Sequence, residues 1–102
     1  ALGLMDAALP KTDLDAIQNI LEPFAANEIT FHDLRTRTAA ARGFGSMHIL
    51  VPGSWSVKKA HDLAGQVEDK IHETLPQIMV FTHVEPVEDP ASLQDNSWSL
   101  RQ

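Results

Sequence analysis

The sequence contains no cysteine, which removes disulfide staples, thiolate metal sites and cysteine nucleophiles together. Any metal must then be held by nitrogen and oxygen donors. Basic residues are scarce: Lys and Arg number 8 against 14 Asp and Glu, a formal charge of −6 with histidine neutral. A nucleic-acid surface needs clustered cations to neutralise phosphates. The only tight basic group, Arg35, Arg37 and Arg42, is too small to be one. Long apolar runs are missing as well, since none approaches the roughly 18 residues that a membrane-spanning helix requires. The apolar start, Ala1 to Pro10, lacks the basic n-region of a secretory signal and reads like the cut end of something longer.

What remains is a chain of 102 residues, one domain by size, expected to bury roughly two thirds of the surface its unfolded chain exposes. That supports a modest core but no large enclosed active site. No G-x-S-x-G elbow accompanies the Ser, His and Asp residues. Gly43-Phe44-Gly45 lacks the third glycine of a phosphate loop and leads into a strand where a helix is needed. The expectation is therefore a domain without enzymatic activity.

Along the chain, Thr12 or Asp13 can cap a helix whose apolar stripe is Leu14, Ile17, Ile20, Leu21 and Phe24, with Pro23 and Asn27 at its exit. The period changes to two from Glu28 to Arg37, placing Ile29, Phe31 and Asp33 on one face and Thr30, His32 and Leu34 on the other. Thr38 to Gly43 reads as a hairpin-like reversal with Gly43 free to take a positive φ. A second strand covers Phe44 to Val51 and stops at Pro52-Gly53. Ser54 to Ser56 offers caps for a longer helix in which Val57, Ala60, Ala64, Val67, Ile71 and Leu75 fall within an arc of about 80°. Gln77 to Glu85 reads as a third strand, and Glu88 to Gln102, with Trp98 its one sticky residue, as a disordered or loosely docked tail. The order α-β-β-α-β predicts a two-layer α+β domain with two helices on one sheet face, the other face left to solvent or a partner.

Five histidines are many for this length. His32, His48 and His83 fall on three different strands. His83 and Glu85, at i and i+2, project from one face and could share a cation. His61, Glu68 and His72 flank the buried stripe of the long helix. Neutral imidazole with carboxylate oxygen suits zinc, manganese, iron, cobalt, nickel or cadmium, yet no strict spacing such as H-E-x-x-H occurs, so scattered surface or hydrogen-bonded histidines remain the competing reading. Arg35 and Arg37 read either as solvated strand ends or as partners of a carboxylate across a subunit or domain contact.

A set of motifs then appears in order: Leu4-Met5-Asp6, Leu9-Pro10, the run F-H-D-L-R-T-R from Phe31 to Arg37, Met47 to Pro52, Ala60-His61-Asp62-Leu63-Ala64, Val67-Glu68, and Val80 to Pro86. Over residues 1 to about 90 this resembles the C-terminal cytoplasmic domain of cation diffusion facilitator metal transporters. The resemblance implies a metallochaperone-like (ferredoxin-like) fold and a dimeric regulatory module of a proton-coupled divalent-cation exporter. It further implies zinc held between protomers, with binding drawing them together, and an attached transmembrane domain that carries the transport site. On it, residues 1–10 are a linker remnant after the last transmembrane helix, 11–87 the regulatory domain and 88–102 a flexible tail. His32, His48, His61 and His83 match histidines used in zinc-transporting relatives. Glu85 stands where those relatives often have Asp, an arm longer by one methylene, which bears on whether it bridges two metals. His72 has no counterpart. A folded part this small favours oligomerisation on physical grounds too. A purely structural dimerisation module that binds no metal is the alternative.

Overall fold

The computed structural model describes residues 8–26 and 28–88. In chain order they form α1 (Lys11–Leu21), a 3-10 turn (Glu22–Ala25), β1 (Thr30–Ala39), β2 (Arg42–Val51), α2 (Val57–Thr74) and β3 (Ile78–Pro86). This is the expected α-β-β-α-β order. Most of the expected linker, and all of the expected tail after Glu88, Trp98 included, lie outside the described residues.

The helices show where local chemistry and pattern agree. Pro10, not Thr12 or Asp13, stands at the N-terminus of α1, and its carbonyl accepts from the Asp13 and Leu14 amides at 3.0 and 3.1 Å. Proline fits that position because it has no N–H to be left without an intrahelical partner, and Asp13 sits in the first turn near the positive helix end. In α2 the Ser56 hydroxyl caps the Lys59 amide at 3.0 Å, as its sequence position suggested. The buried face of α2 is Leu63, Val67 and Ile71, and Val57, expected in the stripe, is 87% exposed. Val57 is the first residue of the helix and lies at the rim of the arc, so the stripe is rotated toward Leu63.

The three strands lie in the order β1-β2-β3, with β1 antiparallel to β2 and β3 parallel to β2. A parallel neighbour needs a long crossover, and α2 supplies it. Ile17 and Leu21 of α1, Leu63, Val67 and Ile71 of α2, and Ile29, Phe31, Met47, Ile49, Val51 and Ile78 of the sheet make one core on the helix side. Leu9 joins it, 4% exposed. Two sequence expectations about turns are corrected. Ala40, with φ 56°, carries the left-handed conformation of the β1–β2 reversal, and Gly43 has no positive φ. Gly43 is instead a close-approach glycine in β2: a Cβ there would lie 2.6 Å from Leu9 Cδ2 and 3.1 Å from Ile78 Cγ1.

The strict alternation expected in β1 also fails at one point. The register slips between His32 and Arg35, and Asp33 takes φ 56°. This bulge puts one extra residue into β1. Beyond it Leu34 packs against the core, where simple alternation placed it with His32.

Glu68 ties the crossover helix to the outer strand. Its Oε2 accepts from the Thr82 amide at 3.1 Å and the Thr82 hydroxyl at 2.6 Å. Hydrogen bonds to an ionised acceptor stabilise more than neutral ones, so Glu68→Ala is expected to lower unfolding free energy by about 1–3 kcal/mol. Urea denaturation of the two proteins measures it, and a difference below about 0.5 kcal/mol would refute the assignment.

Candidate metal centre

The face of the sheet turned away from the helices carries the histidines. Strand register makes them a single lateral row: His32 is paired with His48, and His48 with His83. One imidazole per strand was legible from sequence; that the three stand side by side follows only from the pairing. Ring centroids are 5.4 Å apart for His32 and His48 and 5.2 Å for His48 and His83. His32 is buried, 1% exposed, and the His83 side chain is 68% exposed, so the row runs from the interior to the surface.

Glu85 lies across Leu50 from Thr30 in the next row and reaches back toward the histidines. Its Oε1 is 3.5 Å from His48 Nδ1 and its Oε2 is 3.7 Å from His83 Nδ1. One ligand atom from each of His32, His48 and Glu85 lies within 4.8 Å of the others, the one such group among the described residues. Tetrahedral coordination with bonds of 2.0–2.1 Å separates ligand atoms by about 3.4 Å. The His48–Glu85 pair is already near that spacing, and side-chain rotation has to bring His32 closer. Two imidazoles and a carboxylate, with no sulfur, suit a borderline divalent cation and leave positions for further ligands. The donor set therefore fits the metal that the sequence reading implied.

His61 is elsewhere. On α2, with its side chain 85% exposed, it is beside Asp62 and lines a shallow depression with Glu68, Thr82 and Val84. Those two β3 residues point to the helix side, whereas His83 and Glu85 point to the opposite side. His72, in the last turn of α2, is exposed and suits the negative helix end.

The residue that sequence reasoning missed is Asp33. The residue is only 6% exposed; its Oδ1 is 2.9 Å from Arg35 Nε and its Oδ2 faces His48 Nε2 at 3.9 Å. Arg35 thus has a carboxylate partner within its own strand, and the guanidinium of Arg37 covers the Phe44 ring at 4.5 Å. A signal was available, because alternation alone put an acid on the same face as Ile29 and Phe31, a burial that a carboxylate resists unless paired.

Comparison with known proteins gives the surface a context. The family described as cation efflux protein, cytoplasmic domain, matches residues 9–87. An uncharacterized transporter, sll1263, of Synechocystis is 44% identical over 92 residues, 90% of this chain and 30% of that protein. The cation-efflux pump FieF of Serratia proteamaculans is 29% identical over 98 residues, 96% of this chain and 32% of that protein. The chain spans about a third of the length of these curated relatives. Among solved structures, the Zn form of CzrB superposes with a TM-score of 0.70 at 33% identity, covering 83% of this chain and 97% of that one. The metal-bound C-terminal domain of the CzcD transporter from Thermotoga maritima gives 0.67 at 32% identity, covering 80% and 99%. With the fold, the matched span and these neighbours in agreement, the chain belongs to the cation efflux protein cytoplasmic-domain family.

Proposed function

We propose that this domain is a metal-sensing dimerisation module of a proton-coupled divalent-cation efflux transporter, regulatory rather than catalytic, on the cytoplasmic side of a membrane domain. The observation that carries the reading is the convergence of His32, His48 and Glu85 within 4.8 Å from three strands. In this reading His83 adds a fourth donor, and Glu85, with one oxygen toward His48 and the other toward His83, has the reach to bridge two cations despite its longer arm. On the same reading His61, which stands on the helix side of the sheet away from the cluster, joins the site from a second copy of the chain, with the cation held between protomers. The same open face exposes Phe81 (61%) and Met79 (46%), apolar surface that a second copy would cover. Zinc is the first expectation; manganese, iron, cobalt, nickel and cadmium share the donor preference.

A cation shifts the open and compact forms of a dimer only by its differential affinity, and a tenfold preference is about 1.4 kcal/mol. Zinc titration followed by calorimetry, with small-angle scattering at each point, tests the reading: binding accompanied by compaction supports it. A dimer indifferent to both zinc and chelator overturns it in favour of a purely structural module.

The pH dependence follows from the donors. A ligating imidazole must be neutral, and an unperturbed imidazole titrates near 6.5. With two imidazoles in the cluster, zinc affinity is expected to fall by about 10–100-fold between roughly pH 7.5 and pH 5.5. Calorimetry at both values checks this, and equal affinities would point to binding dominated by carboxylates.

A further inference from the structure

The two ring nitrogens of His48 have different surroundings. Nδ1 faces Glu85 Oε1, a member of the ligand cluster, at 3.5 Å, and Nε2 faces Oδ2 of Asp33, which is not a member of it, at 3.9 Å. Asp33 is itself anchored, since its other oxygen is 2.9 Å from Arg35 Nε. The backbone is built around this contact. The bulge between His32 and Arg35, with Asp33 at φ 56°, brings the carboxylate to His48 on the open face. Aspartate tolerates that left-handed conformation better than most residues.

We infer that Asp33 is a positioning residue for His48, accepting the Nε2–H so that Nδ1 is presented to the cation, with Arg35 holding the carboxylate in place. This rests on the metal reading proposed above. The physical reason is general: an imidazole ligand binds through one nitrogen, and the hydrogen bond made by the other fixes both its tautomer and its ring orientation. At 3.9 Å the pair is longer than a hydrogen bond, and it closes to one as Nδ1 is drawn onto the cation. Asp33 also explains why Arg35 turns back along its own strand: a buried carboxylate needs a cation beside it.

Two substitutions and one spectrum test this in the 102-residue chain. Asp33→Gly keeps the positive φ at ease and removes the acceptor; Asp33→Asn tolerates the same φ and keeps an oxygen. Zinc affinity by calorimetry is expected to drop about 10–100-fold in D33G and to recover to within about threefold of the parent in D33N. In the zinc-loaded parent, proton and nitrogen NMR should find the His48 proton on Nε2 and protected from solvent exchange, a signal lost in D33G. A His48 proton on Nδ1 in the parent overturns the inference whether or not D33G folds. So does D33G binding within about threefold of the parent, or D33N as weak as D33G. A parent chain that binds no zinc removes the metal reading itself, and this inference with it, whereas a parent that binds and a D33G that binds equally removes this inference alone.

Discussion

Replacing His48 with alanine is expected to lower zinc affinity by at least about two orders of magnitude, more than loss of an outer partner costs, while the domain stays folded. His48 is the middle of the row. Its ring neighbours both His32 and His83, and its Nδ1 faces Glu85. Removing it separates the buried donor His32 from the two on β3, so no pair of the remaining groups is bridged by a ligand on β2. The fold should survive because the side chain lies on the open face, partly exposed, whereas β2 is anchored by Met47, Ile49 and Val51 on the other side. Calorimetry with zinc and far-ultraviolet circular dichroism of the same samples provide the check. Affinity within about tenfold of the parent in a folded variant would place the site elsewhere.

Phe31→Ala should do the opposite, leaving the open face chemically intact and removing what it stands on. Phe31 is fully buried and is paired with Ile49 across the β1–β2 ladder, at the centre of the helix-side core. Truncating a buried phenylalanine destabilises by about 3–5 kcal/mol, through lost transfer energy and the cavity that remains. Small domains have only about 5–15 kcal/mol in all. A domain with a core of this size should therefore lose a large part of its stability, with a urea midpoint lowered by about 2 M or more. A loss below about 1 kcal/mol would mean that the helices collapse into the space, against the close packing expected of the core that Phe31 shares with Ile17, Leu21, Val67 and Ile71.

These two residues are neighbours of His32 in β1 and of Ile49 in β2, and the contrast between them was readable before any coordinates. A period of two sorts Ile29 and Phe31 from Thr30 and His32, and Met47, Ile49 and Val51 from His48 and Leu50, without ambiguity. The buried stripe of α1 was equally plain, because Ile17 and Leu21 have one sensible burial. What could not be read was register, since pairing of His32 with His48 and of His48 with His83 is a property of three strands at once. The bulge was hidden for a related reason: inserting one residue costs nothing in composition, and only the awkward position of Asp33 pointed to it. Gly43 misled because a glycine near a turn has two uses, a positive φ or a close approach. The tight contact with Leu9 and Ile78 that decides between them is long-range. Val57 misled because a wheel counts angle but not where the helix begins to overlie the sheet.

The parallel pairing of β3 with β2 bears on the order in which the donors meet. The β1–β2 hairpin closes a short loop, and by itself it brings His32 opposite His48. His83 and Glu85 arrive only when the chain has run out through α2 and returned, a closure with a larger entropic penalty and a slower rate. A chain in which only this hairpin has formed holds His32 and His48 together without the donors of β3. The four donors stand side by side only once β3 has paired with β2, so their proximity reports that this long-range closure of the sheet has been made.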